Sequence, residues 1–419
     1  MKTKTSLLLS LPSLALVASV LFVPSSFAAL PPTVDDEAGF VFCQGAEPKL
    51  GYVDRTGKFT VRPRSEAALT DEFLQSYCRQ ESEDTRSFHE GLGCATRDGK
   101  WGFVHDGGKF HIAPQFEDAG PFSEGFAWVK SNGKWGTVGH GGKFETQPLY
   151  DDATPYRSGY AGVKRNGKWG FVTKGGKEAV PPTYDDVQFF RDGYAPVKSN
   201  GKWGFISSSG KVVVEFQFDD ARSFRDGLAP VARGGKWGFV DSSGKLRIEP
   251  AFDEVLGFCD GWAAVKQAGQ WGFIKRNGTF AVSPQFEDAC SFRDGHAAVK
   301  QGGKWGFLDG SGKLAIPAQF EDAWHFHDSR AAVKVDGKWG YCNSSGKVVI
   351  APQFEDAWPF QSGLAAVKQN GKWGYLKPNG EFRIPPQYDL AWTLNGVAGV
   401  KLNGKWGYIH DNGKAIFGW

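Results

Sequence analysis

The residues with the most evident capacity for chemistry are paired carboxylates. Adjacent acids stand at Glu117-Asp118, Asp151-Asp152, Asp185-Asp186, Asp219-Asp220, Asp253-Glu254, Glu287-Asp288, Glu321-Asp322 and Glu355-Asp356. Two neighbouring carboxylates can ligate calcium or divide acid and base roles between them. Repetition argues against both uses, because catalysis needs one pair in one special setting. The stronger expectation is turn chemistry. Acids at a corner accept hydrogen bonds from turn amides, and they can pair with the lysine before each tryptophan, as at Lys134, Lys168 and Lys202.

Other chemistry is sparse. The histidines His89, His105, His111, His140, His296, His325, His327 and His410 do not recur periodically. His325-Phe326-His327 puts two imidazoles on one strand face, half of a metal site with no third ligand in sight. Every Gly-Lys pair lacks the following Ser or Thr of a phosphate loop, so nucleotide binding is rejected. There is no Gly-x-Ser-x-Gly elbow and no His-Glu-x-x-His. No catalytic residue, metal or cofactor is expected, and the chain reads as non-enzymatic.

Tryptophan is the other reactive surface. Trp324, Trp358 and Trp392 share a slot just after the acidic corner, where earlier copies hold Gly120, Thr154, Gln188, Arg222, Leu256 and Cys290. So variable a slot reads as exposed, and three indoles in it would form a ligand-binding ladder for sugar rings or peptides. The competing reading has them covering the end of a thicker core. Of the cysteines, Cys259 and Cys290 lie near the Phe258 and Phe292 anchors of adjacent units and make a plausible disulfide. Cys342 stands at an apolar strand position and reads as a lone buried thiol. Among Cys43, Cys78 and Cys94, either Cys43–Cys94 or Cys78–Cys94 would form.

The element that positions all of this is a repeat. Trp-Gly recurs at Trp101, Trp135, Trp169, Trp203, Trp237, Trp271, Trp305, Trp339 and Trp373 with a period of 34 residues, and again at Trp406. Fixed glycines and prolines rule out a pair of helices per unit. Asn-Gly at 132–133, 166–167, 200–201, 370–371 and 403–404 supplies the positive φ angles of a tight hairpin. A second turn follows, as in Ser208-Ser209-Gly210-Lys211, and then a strand ending Pro-Gln-Phe, as at 114–116, 284–286 and 352–354. Its proline points to a sheet edge. Each unit thus reads as three short antiparallel strands. About eleven units, counting a degenerate copy with Leu50 in place of tryptophan, form an all-β tandem array. An open β-solenoid or superhelix is the first expectation, because eleven units of three strands suit a ring poorly. A β-propeller-like ring is the alternative. The Trp-Gly indoles read as core, with the glycine letting another backbone approach.

The phrase Gly-Lys-Trp-Gly-Phe/Tyr, then Gly-Lys, then Pro-x-Phe/Tyr-Asp/Glu-Asp-Ala resembles the WG (KWG) repeat family of bacterial proteins. The resemblance spans residues from about 88 to 419 and implies a β-rich array, a bacterial origin and an interaction role. It brings no active site.

Three regions follow. Residues 1–28 read as a cleaved signal peptide, with Lys2 and Lys4, the apolar run Leu7 to Val23, and Ser26-Phe27-Ala28. Residues 29–87 read as a capping region holding the degenerate copy and a short helix within Glu66 to Glu83. Residues 88–419 are the repeat domain. No later apolar run is long enough for a membrane helix. Charge is nearly balanced, at 49 basic and 46 acidic residues without a basic block, which disfavours nucleic acid. The expected protein is periplasmic or secreted. Its expected partner is another protein of the bacterial envelope or exterior, with a glycan or peptidoglycan as the alternative.

Overall fold

The computed structural model describes the backbone of residues 40–43, 48–53, 59–61, 85–392 and 396–417, and side chains from residue 89 onward. The expected signal peptide, the leader and the Glu66 to Glu83 segment lie outside the described residues. Among the described residues there are ten four-stranded antiparallel sheets and one three-stranded sheet. The three-stranded sheet, Phe40–Cys43, Pro48–Val53 and Phe59–Val61, is the degenerate copy, with Leu50 in its middle strand. The four-stranded sheets are numbered here as blades 1 to 10, over residues 85–116, 118–150, 152–184, 186–218, 220–252, 254–286, 288–320, 322–354, 356–388 and 390–417.

Blade 4 shows how the sequence builds a blade. Its strands are Asp186–Val187, Tyr194–Ser199, Lys202–Ser207 and Val212–Phe218. The central hairpin turns at Asn200 (φ 51°) and Gly201 (φ 79°), two successive left-handed residues as its two-residue loop requires. The last strand bulges, pairing Trp203 with Phe218 but Phe205 with Val214. The bulge pushes its backbone onto Gly204, where an added Cβ would lie 2.6 Å from the Val214 carbonyl oxygen. The same approach recurs at Gly102, Gly136, Gly170, Gly238, Gly272, Gly306, Gly340 and Gly374, in most of them beside the nitrogen of the Pro-x-Phe/Tyr proline. The glycine after tryptophan is therefore demanded by a backbone, as expected.

The unit differs from the expected three strands. The acidic corner contributes a fourth, two residues long, which joins the following hairpin and not the preceding strand: Asp186 pairs with Lys198 and Val187 with Val197. Periodicity could not show this, because a two-residue strand leaves no alternation to read.

Apolar side chains fill the space between blades. Trp203, Phe205, Val214 and Phe218 of blade 4 pack with Ala221, Phe224, Ala229, Val231 and Val240 of blade 5. Phe205 meets Phe224 edge-on at 5.0 Å, and Phe307 meets Phe326 likewise at 4.9 Å. Such aromatic pairs add roughly 0.5–1.5 kcal/mol beyond their buried area. Each blade thus stabilises only its neighbours, as in other repeat proteins.

The array closes on itself. Ala95 and Val104 of blade 1 share a cluster with Tyr408 of blade 10. Phe110 meets Phe417 at 5.8 Å, and the Tyr408 hydroxyl donates to the Cys94 carbonyl at 3.0 Å. The Gly108 turn abuts the Ile416 backbone, as Gly210 abuts Val180 within the array. The all-β array holds, and its arrangement is the propeller-like ring, not the open solenoid. The degenerate copy forms a sheet of its own, so the ring counts ten blades.

Candidate functional site

The acidic pairs divide into two structural tasks. The first acid of each pair serves the hairpin turn. The Gly133 N–H donates to Glu117, Asn166 to Asp151, Gly234 to Asp219 and Gly371 to Glu355, at 2.7–3.1 Å. Where this acid is Asp, the lysine before tryptophan also reaches it: Lys134 to Asp151, Lys168 to Asp185, Lys202 to Asp219, Lys236 to Asp253 and Lys372 to Asp389. That hydrogen bond holds these carboxyls below their ordinary range. The turn-chemistry expectation is met here.

The second acid behaves differently. It lies on the two-residue strand, where its carboxylate accepts the next N–H, as Asp186 does from Val187 at 2.9 Å. Here the acids of successive blades feel one another. Burial pushes Asp186 up to about 7, Lys198 and Lys164 oppose the rise, and Asp220 adds to it. Asp288 and Asp356 are pushed up to about 6 by burial, each between a lysine of its own blade and one of the preceding blade. Asp220 and Asp322 are raised for the same first reason. The result is a belt of alternating charge through Lys164, Asp186, Lys198, Asp220, Arg222, Glu254, Lys266, Asp288, Lys300, Asp322, Lys334, Asp356 and Lys368, with Arg222 standing in for the lysine in blade 5.

The belt lysines double as covers for the tryptophans. Lys164 lies 5.6 Å from the Trp169 ring, Lys198 5.8 Å from Trp203 and Lys266 5.7 Å from Trp271. Blade 5 has Ala232 in place of the lysine. Arg222 covers its Trp237 at 4.4 Å instead, while donating to the Val255 carbonyl at 2.6 Å.

Arg222 occupies the same slot as Trp324, Trp358 and Trp392, and the structure corrects the expected exposure of that slot. Gln188, Arg222, Cys290 and Trp392 are all buried there, and Trp324 and Trp358 are half-buried. Trp324 stacks on Trp339 (6.3 Å) and on Trp358 (6.1 Å). Trp358 packs against Trp373, and Trp392 lies parallel to Trp406 at 5.8 Å. The three indoles do follow one another, but their faces are occupied by other indoles. In four blades the residue of this slot, Arg222, Trp324, Trp358 or Trp392, covers the core tryptophan of its own blade.

The expected Cys259–Cys290 disulfide is absent, and Cys259 is a free, half-buried thiol. Packing explains it. Cys290 lies in the core between blades 7 and 8, with Ala298, Trp305 and Ala323, while Cys259 sits at the bridge to Trp262 in blade 6. One blade on, Arg293 has the place of Cys259, and its guanidinium meets His325 at 2.8 Å. Cys342 is fully buried, as expected, with its thiol pushed up to about 12 by burial. Cys94 is buried; Cys78 and the Cys43 side chain lie outside the described residues. His325 is buried and held well below its ordinary value, first by burial and then by Arg293. With its Nε2 accepting from Arg293, it faces a cation. Among the described residues no three His, Cys, Asp or Glu side chains gather as a metal site.

The model of the WG containing repeat matches nine successive spans from 101–135 to 373–406. The chain belongs to the WG-repeat family. No curated protein matches it. Solved structures similar to this WG-repeat ring include a eukaryotic initiation factor, at 10% identity over 70% of this chain and 95% of that one, with a TM-score of 0.47. Another is the extracellular domain of a putative hybrid two-component system from B. thetaiotaomicron, at 8% identity, 82% and 66% coverage and a TM-score of 0.25. PorZ, a surface component of the type-IX secretion system of Porphyromonas gingivalis, matches at 10% identity, 81% and 52% coverage and a TM-score of 0.27. Likenesses this distant carry no argument about function. Among the described residues no helix is long and apolar enough to cross a membrane.

Proposed function

We propose that this WG-repeat ring is an exported, non-enzymatic binding protein that engages another protein in the bacterial envelope or outside the cell. One observation carries the reading. The turn before the last strand places an exposed lysine at the same register in most blades: Lys109, Lys143, Lys177, Lys211, Lys245, Lys313, Lys347 and Lys414. These lysines form a crown on one end of the ring, interspersed with acids of the same turns such as Asp241 and Asp309, while at the other end Lys134, Lys168, Lys202, Lys236 and Lys372 pair with first acids. A crown of separated ammonium groups interspersed with acids suits a broad protein face of complementary mixed charge. The glycan alternative needs free indole faces, and those of Trp324, Trp358 and Trp392 are stacked, so a protein partner is favoured. Export rests on the leader-like residues 1–28.

The test is chemical cross-linking of the mature protein in an envelope fraction, beside a variant with Lys211, Lys245, Lys313 and Lys347 changed to Glu. A cross-linked protein lost in the variant supports the reading. Co-sedimentation of both forms with purified peptidoglycan, without a cross-linked protein, overturns it in favour of the glycan.

A further inference from the structure

Between blades 2 and 10 the belt lacks its acid in one blade. In blades 2 to 9 the first strand opens on an acid, and in all but blade 5, where Asp220 pairs with Ala232 and senses Arg222 instead, it lies beside the lysine of its own blade: Asp322 pairs with Lys334 and Asp356 with Lys368. Where the electrostatics are resolved, the lysine of the preceding blade faces the acid as well. Asp288 senses Lys266 and Lys300, Asp322 senses Lys300 and Lys334, and Asp356 senses Lys334 and Lys368. In blade 10 that position is Leu390, paired with Lys401. The same geometry puts Leu390 between Lys368 and Lys401, two ammonium groups with no carboxylate between them.

Among the described residues nothing replaces the missing charge. Asp389 precedes Leu390 but points the other way, accepting from the Gly404 N–H at 3.0 Å and from Lys372. Asp356 lies on the far side of Lys368. Lys401 rests 5.8 Å from the Trp406 ring, and Trp392 stacks on that same indole. Gly399, where blade 9 has Ala366, gives the Trp392 ring its room: an added Cβ would lie 3.0 Å from the indole. The gap is half-exposed at Leu390, Lys368 and Lys401.

We propose that Lys368 and Lys401, on either side of Leu390, form a subsite for a carboxylate supplied by a partner, an Asp or Glu side chain of an acidic protein segment. The ligand would complete the alternation that every blade from 2 to 9 completes with its own acid. An acidic side chain is the natural occupant, because Leu390 fills the position without supplying the negative charge that such side chains bring there in blades 2 to 9. The inference deepens the protein-partner reading and rests on it only for the source of the carboxylate.

The probe is fluorescein-labelled hexaglutamate, followed by fluorescence anisotropy with the mature protein at pH 8 and low salt. Leu390→Asp installs the group blades 2 to 9 carry, so its fold is supported by its own repeat, and circular dichroism checks it. Saturable binding should weaken about tenfold or more in Leu390→Asp and in Lys401→Gln, since a like charge placed beside an anion costs more than 1.4 kcal/mol. Lys109→Gln, on the crown, should bind as the parent does. Equal binding by the parent and Leu390→Asp overturns the subsite, as does no binding at all. Binding of labelled oligogalacturonate with the same Leu390→Asp sensitivity, and not of hexaglutamate, overturns the protein source. An intact envelope cross-link with no hexaglutamate binding sinks this inference alone. Hexaglutamate binding without any cross-linked protein sinks only the broader reading.

Discussion

Replacing Asp186 with Asn should stabilise the ring at alkaline pH and leave it unchanged in acid. Asp186 is 1% exposed, one carboxylate oxygen accepts the Val187 N–H, and the other has no hydrogen-bond partner. Its pKa is raised from 3.8 to about 7, chiefly by burial. The sign follows from where each state titrates. Below the unfolded value both states are protonated and the group is neutral in effect. As pH rises to about 7 the unfolded chain releases the proton while the folded chain retains it, and stability is lost. At 1.36 kcal/mol per pKa unit, a rise of about three units corresponds to ~4 kcal/mol as an upper bound. Relaxation and water entry reduce such penalties, so Asp186→Asn should gain ~2 kcal/mol at pH 8 and within about 0.5 kcal/mol of nothing at pH 4. Urea unfolding followed by tryptophan fluorescence at both pH values reads the difference. A variant no more stable than the parent at pH 8, or stabilised equally at both, would refute the reasoning.

Other consequences are as direct. Gly340→Ala would bring a Cβ to 2.5 Å from the Ile350 carbonyl and 2.7 Å from the Pro352 nitrogen. It should cost ~2–4 kcal/mol in urea unfolding, and an unchanged midpoint would exclude the bulge as the reason for this glycine. In the native protein a thiol reagent should label Cys259 well before Cys342, which is fully buried, and peptide mapping without reductant should yield no peptide joining residues 259 and 290. Tyr408→Phe removes the hydrogen bond from blade 10 to Cys94 of blade 1. It should cost ~1 kcal/mol and speed amide exchange at Ala95 and Val104 relative to blade 5, and exchange unchanged at the seam would count against closure through this contact.

The repeat was legible because its chemistry is local. Asn132-Gly133 and its counterparts name their hairpin turn, the Trp-Gly glycine implies a close backbone, and the first acids of each corner find the turn amides of the next hairpin along the chain, 15 or 16 residues on. The slot was misread because its variability concealed its burial. Gln188, Arg222 and Trp324 share no chemistry, yet each occupies the same covered place. Cys259 and Cys290 looked paired from proximity to phenylalanines, but Cys290 is packed into the core between blades 7 and 8.

The sequence by itself determined the strand, the turn, the period of 34 residues and the membership in the WG-repeat family, all of which rest on interactions within some forty residues. Tertiary structure alone decided three things. It gave the acidic corner's second residue to the following blade, because a two-residue strand is defined by its partner. It closed ten blades into a ring, because closure depends on the sum of small rotations between blades, which no single unit encodes. And it gathered the second acids and the strand lysines into one belt, where charges distant in the chain become neighbours and the break at Leu390 becomes visible.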